Sequence, residues 1–109
     1  MTIPASVTRI GSSAFAYCTE LTSVTIPASV TSIGKSAFSV CSKLTSVTFL
    51  GDAPTDIGDY IFFNSPATIY YTSGKLRWTN PWEGRPTVAL APPPPPVPVI
   101  HNYTVYFRK

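Results

Sequence analysis

Thr2–Val24 reads TIPASVTRIGSSAFAYCTELTSV, and Thr25–Val47 reads TIPASVTSIGKSAFSVCSKLTSV. Laid one over the other without a gap, the two stretches agree at 17 of 23 positions, so the chain is built on a 23-residue unit. A third copy opens at Thr48, Phe49 and Leu50 and then blurs: Ile57 and Gly58 echo Ile33 and Gly34 with one residue inserted, and Phe62 echoes Phe38. The recognisable array therefore amounts to about two and a half coils, one per repeat.

Inside a unit, Leu21, Val24 and Ile26 trace the Leu-x-x-Val-x-Ile signal of a short strand, and Pro27, which has no N–H to donate, stops it. Leu44, Val47 and Phe49 repeat the signal one unit on. Val30 and Ile33 alternate with polar neighbours, Gly34 is expected to permit a turn, and Ala37, Phe38, Cys41 and Leu44 continue the apolar series. Leu21, Val24, Ile26, Val30, Ile33, Phe38, Leu44, Val47 and Phe49 are thus predicted to point inward and be buried. One coil cannot cover its own apolar face, so stability must come from neighbours stacked at about 4.8 Å.

The stretch IPASVTSIGKSAFSVCSKLTSVTF resembles the BspA-like leucine-rich repeats of bacterial surface proteins. The resemblance covers Met1 to about Tyr71, and the tail of that region, with GDAP, PATIYY, a tryptophan and GRPT, is similar to C-terminal ends in that family. It implies a right-handed β-rich solenoid, an extracellular or cell-surface location, and adhesion or protein binding. It names no partner.

The organisation expected from the sequence is leucine-rich repeats over 1–66, a C-terminal cap over 67–91, a polyproline spacer over 92–98 and one isolated β-strand over 99–109. Ala67–Thr72 reads as a strand, Ser73 and Gly74 as a turn, and Trp78 and Trp82 as apolar plates over the last coil, since a terminal repeat must hide the open end of the stack. Pro92–Pro96, Val97 and Pro98 read as a semi-rigid polyproline II rod of roughly 20 Å. Tyr103, Val105 and Phe107 then alternate with Thr104 and Tyr106, a strand with no obvious sheet.

Of the 109 residues, 44% are hydrophobic and only 12% charged, so solvent is met largely by hydroxyls, as in all-β and repeat proteins. The net charge of +3 is spread singly along the chain, with only Arg108 and Lys109 adjacent, which excludes a nucleic-acid stripe. No run approaches the ~18 apolar residues of a membrane span, and the N-terminus carries no signal-peptide pattern.

Catalysis finds little material: one histidine, His101 beyond the prolines, and five acids, Glu20, Asp52, Asp56, Asp59 and Glu83, none paired with a base at a useful spacing. No enzyme activity and no cofactor is expected. A metal set is equally thin, and the stretch DAPTDIGD lacks an EF-hand pattern and reads as a turn-rich loop. Cys18 and Cys41 occupy one column of successive coils; they are close enough for a disulfide, yet a ladder aims their side chains parallel, which favours structural free thiols. Asn102, Tyr103 and Thr104 form an N-glycosylation sequon, weak in a chain that looks bacterial.

Two functional classes remain. In the first, the hydroxyl columns of Thr22, Ser23, Thr25, Thr45, Ser46 and Thr48 line the strand face, concave in leucine-rich repeats, and hold a protein partner; a glycan, a peptide or ice could also meet such hydroxyls, and a plain solvated face is the blander reading. In the second, the chain is a structural protomer. Met1 falls on the column of Val24 and Val47, so Met1 and Ile3 sit at an uncompleted edge that Tyr103, Val105 and Phe107 of another copy could cover, joining copies head to tail into a filament or array.

Overall fold

The computed structural model describes residues 1–91, which form seven short strands and no helix. They are β1 (Arg9–Ile10), β2 (Ser23–Ile26), β3 (Ser32–Ile33), β4 (Ser46–Phe49), β5 (Asp56–Ile57), β6 (Thr68–Thr72) and β7 (Thr87–Leu90). Two parallel sheets result, one in the order β2-β4-β6-β7 and one in the order β1-β3-β5. The polyproline spacer and the C-terminal strand expected beyond Ala91 lie outside the described residues. No helix of the described residues is long and apolar enough to cross a membrane.

Register follows the repeat. Val24 pairs with Val47 and Val47 with Ile69, while Ile26 pairs with Phe49 and Phe49 with Tyr71. Side chains of a strand alternate between faces, so Val24, Ile26, Val47 and Phe49 all enter the core, each at 2% exposure or less. The second sheet adds Ile10, Ile33 and the half-buried Ile57 as a column of its own.

A third layer joins the two sheets without being a regular strand. In coil one, Ser13, Phe15 and Tyr17 donate their N–H groups to Lys35, Ala37 and Ser39 of coil two, at 2.9, 2.8 and 2.9 Å. Ser36, Phe38 and Val40 repeat this toward Asp59, Ile61 and Phe63. The intervening N–H groups of Ala14, Ala16 and Cys18 turn back to carbonyls three residues earlier in their own coil. Backbone polarity is satisfied alternately within a coil and between coils. Inside this layer Phe15, Phe38 and Phe62 form a stack, with ring centroids 5.2 and 5.7 Å apart.

Two expectations need correction. Leu21 is half-buried, although its repeat partner Leu44 is fully buried, because within the described residues coil one is packed on one side and coil two on both. Gly34 does open a turn, its carbonyl accepting from the Ala37 N–H at 3.2 Å, but its φ is not among the positive ones, so the turn is not what requires glycine there. A Cβ there would sit 2.5 Å from the backbone nitrogen of Ser12, and one at Gly58 would sit 2.3 Å from that of Lys35. These glycines let one coil lie close upon the last.

The four-stranded sheet does not stop where the 23-residue identity blurs. β6 and β7 add two more rungs, with Thr72 opposite Leu90. Between them the chain leaves the repeat path, and its tryptophans pack on the core: Trp78 lies 4.9 Å from the Phe49 ring and stacks on Tyr71, and Trp82 contacts Phe49, Phe62 and Trp78. The Trp78 indole N–H is also satisfied, by the Gly51 carbonyl at 3.1 Å.

Candidate functional site

The outward face of the large sheet is set by the same alternation that builds the core. Ser23, Ser46 and Thr68 form one outward column, and Thr25, Thr48, Tyr70 and Val88 form the next, with Thr2 bridged to Thr25 at its start. None of β2, β4, β6 and β7 carries a charged residue. The face changes character along its length. Hydroxyls dominate at β2 and β4, whereas the β7 end exposes Val88 and Leu90, with Leu50 just past β4 also exposed.

Of the residues expected on this face, Ser23 is exposed and Thr25, Ser46 and Thr48 are half-buried on the outward side. Thr22 and Thr45 are exposed but stand at the strand entrances, outside these columns. There the Thr45 hydroxyl and N–H both donate to the Thr22 carbonyl, at 3.3 and 3.0 Å. The structure therefore brings four of the six onto one face and sets two beside it.

Met1 is exposed, and its ammonium donates to the Ser23 carbonyl at 3.1 Å. Ile3 is buried against its own coil two, its N–H bonded to Thr25 O, and it helps line an apolar groove of about 290 Å³ with Met1, Val7, Ile10 and Phe15. Tyr103, Val105 and Phe107 lie outside the described residues. Cys18 and Cys41 are free thiols: Cys41 is buried and donates to the Phe15 carbonyl at 3.0 Å, and Cys18 is half-buried. Burial pushes the Cys41 thiol pKa up.

Three of the five acids engage structural partners. Asp52 accepts from the Leu76 N–H at 2.9 Å, Asp56 accepts from the Ser32 hydroxyl at 3.0 Å, and Glu20 pairs with Lys43 at 3.3 Å. Among the described residues no three His, Cys, Asp or Glu side chains gather as a metal would require.

Sequence reasoning missed a second surface, on the third layer. Tyr17, Val40, Tyr60 and Phe63 wall a groove of about 500 Å³ over a floor that includes Ser36 and Ser39. The three aromatics are exposed at 72%, 64% and 54%, and Tyr60 and Phe63 meet edge to face at 6.1 Å. The signal that could have found it lies in the six positions where the two best repeats differ. Two of them, Ala16/Ser39 and Tyr17/Val40, line this groove.

Comparison with known proteins gives one match. Residues 1–77 fit the family model described as BspA type Leucine rich repeat region (6 copies). No curated protein and no solved structure matches the chain.

Proposed function

We propose, from the premise that the chain belongs to the BspA-type leucine-rich repeat family, that it is an extracellular or cell-surface adhesion module working without catalysis. Repeats of this family serve protein interaction and are typically carried by bacterial surface or secreted proteins. The observation that carries the reading for this chain is the charge-free outward face of β2, β4, β6 and β7, polar with hydroxyls at one end and apolar at Val88 and Leu90 at the other. A large uncharged face with an apolar end matches the make-up of protein-binding surfaces, where charge is depleted at the centre.

Ser23, Thr25, Ser46 and Thr48 would supply hydrogen bonds, Thr22 and Thr45 the rim, and Tyr70 with Val88 the apolar anchor. A glycan on the partner is compatible with the hydroxyl end. The test has two parts. Surface proteolysis and fractionation of the producing cells should recover the chain outside the membrane. Purified protein should also adhere to immobilised extracellular-matrix proteins, and Thr48→Arg with Val88→Glu should weaken that adhesion by about tenfold, as for hot-spot loss, with the melting temperature held. Equal adhesion by the double variant sinks the assignment.

A second reading, a structural protomer joined head to tail through Tyr103, Val105 and Phe107, is favoured by the apolar groove that Met1, Ile3, Val7, Ile10 and Phe15 line on coil one. Val105→Asp with Phe107→Asp should then abolish fibres or long oligomers seen by negative-stain microscopy. Assembly that survives the pair excludes it.

A further inference from the structure

The aromatic groove of the third layer lies apart from the sheet face, and nothing in the adhesion reading uses it. We infer that it is a docking site for a polyproline II segment, and that its occupant is the proline run Pro92–Pro98 of a second copy of this chain.

Spacing supports the fit first. Tyr17 belongs to coil one and Tyr60 and Phe63 to coil three, two coil steps apart; the rings beneath are stacked at 5.2 and 5.7 Å per step. The aromatic ridges therefore recur at about 10 Å, two strand spacings. One turn of polyproline II, three residues, advances about 9 Å. Prolines at i and i+3 would fall on successive ridges, with Val40 between them.

Chemistry supports it next. A proline run exposes carbonyl acceptors and has no N–H to satisfy. The groove offers the matching inventory: hydroxyl donors on Tyr17 and Tyr60, flat rings for the pyrrolidine faces, and no charged side chain. A sugar chain asks for more, because its many hydroxyls need directional polar partners fixed in place. Of the serines that line the groove, Ser39 is already engaged, its hydroxyl donating to the Tyr60 carbonyl at 2.6 Å, which leaves Ser13 and Ser36 as the remaining side-chain hydroxyls of the floor.

The chain itself supplies the ligand, as Pro92–Pro96, Val97 and Pro98 follow β7 after Ala91 alone. Within a molecule the path from a strand of the large sheet to the third layer is long: after β2 ends at Ile26, the chain passes through β3 before Ser36 joins that layer. Proline-rich sequence is stiff by composition, so a run that begins one residue beyond β7 is expected to lack that slack and to be used up in the crossing. Another copy's groove carries no such constraint. Contact between two different surfaces is heterologous, so it builds chains of copies as readily as pairs.

Sedimentation velocity on the full chain over the micromolar range tests this. Tyr17→Val and Tyr60→Ser give each position the residue type that Val40 and Ser36 already hold one coil away, so the fold is expected to survive, checked by an unchanged melting curve. Self-association should appear in the parent protein and weaken by about tenfold or more in the double variant, as when hot-spot aromatics are lost. Replacing Pro92–Pro96 and Pro98 with serine should weaken it equally. Mixing the groove variant with the proline variant should restore a one-to-one heterodimer, because one supplies the rod and the other the groove. The inference is overturned by a parent that stays monomeric, by association that survives either variant, or by a mixture that stays apart. A cello-oligosaccharide that protects Tyr17 and Tyr60 from iodination where the peptide APPPPPVPV does not would also overturn it, in favour of a glycan site.

Discussion

Coil one and coil two carry nearly the same sequence yet live in different environments. Phe38, Cys41 and Leu44 are wholly buried, and Val30 is 3% exposed. Their counterparts Phe15, Cys18, Leu21 and Val7 are each only partly buried. Coil two lies between neighbours, whereas coil one meets its own chain on one side. Burial in this fold is therefore a property of the stack, as expected for a repeat protein whose units contact only nearest neighbours.

The largest effect that can break this comparison is the same truncation made at two equivalent rings. Phe38 is stacked on both faces, by Phe15 and Phe62. Phe38→Ala should cost about 3 to 5 kcal/mol, the range for a buried phenylalanine, enough to unfold so small a stack. Phe15, stacked on one face, should lose about half of that on the same scale. Chemical denaturation of both variants measures the difference. Equal costs would show that position within the repeat, and not the neighbour, decides.

The glycine column sharpens the same contrast, because one substitution should change sign along it. A Cβ at Gly34 meets the Ser12 backbone at 2.5 Å, while one at Gly11 meets nothing within 4 Å. Gly34→Ala must pry the coils apart and should destabilise by about 1 to 3 kcal/mol. Gly11→Ala, at a φ that is not left-handed, should be neutral or stabilise by about 0.4 to 1 kcal/mol through the unfolded chain. Comparable losses at both sites would mean that backbone freedom, and not close approach, keeps these glycines.

How far the sequence could be read follows the same division. The period placed β2 and β4 and their inward columns correctly, since an ungapped repeat forces Val24 onto Val47 and Ile26 onto Phe49. It could not show that Leu21 would be half-buried, because Leu21 and Leu44 are the same letter in the same context. β7 was invisible for a related reason: Thr87–Leu90 has no repeat to announce it, and takes its register from β6, with Arg85 fastened to the Ala67 carbonyl at 2.7 Å nearby.

The third layer was the hardest to foresee. Its left-handed positions are Ser13, Tyr17, Ser36, Val40, Tyr60 and Asn64, where turn rules look for glycine or asparagine. Hydrogen bonds between coils hold all of these but Asn64 in place, and such bonds leave no local mark in the sequence. The aromatic groove rests on this backbone, so it was hidden with it. The hydroxyl face of the large sheet was legible from strand alternation, apart from Thr22 and Thr45, where the strand starts one residue later than the pattern suggested.

A smaller effect separates the two thiols. Cys41 is buried and donates to the Phe15 carbonyl, and its pKa is raised chiefly by burial, so the folded state binds this proton more tightly than the unfolded chain does. The resulting stability is fully present below the unfolded thiol pKa of about 8.5 and is lost as pH rises through the folded value. Melting temperature should fall at alkaline pH, and Cys41→Ala should remove the part of the slope due to this group. Iodoacetamide under native conditions should modify the half-buried Cys18 well before Cys41. Equal rates would contradict the difference in burial, and a disulfide found by non-reducing mass spectrometry would replace the ladder of thiols altogether.

The smallest effect lies where the coils differ most in charge. Glu20 and Lys43 occupy the same repeat position one coil apart, and their side chains meet at 3.3 Å while remaining 85% and 60% exposed. Two equal charges at this position would repel across adjacent rungs, so the alternation removes a penalty more than it adds an attraction. Water and salt screen such a pair, and exposed pairs of this kind are worth about 0 to 1 kcal/mol. Glu20→Gln should hardly move a denaturation midpoint. Glu20→Lys, which sets like charges side by side, should lower it slightly, and that loss should fade in about 1 M salt, where screening acts over roughly 3 Å. A Glu20→Gln cost as large as that of Phe15→Ala would show that the charged rim, and not the stacked side chains, holds coil one to coil two.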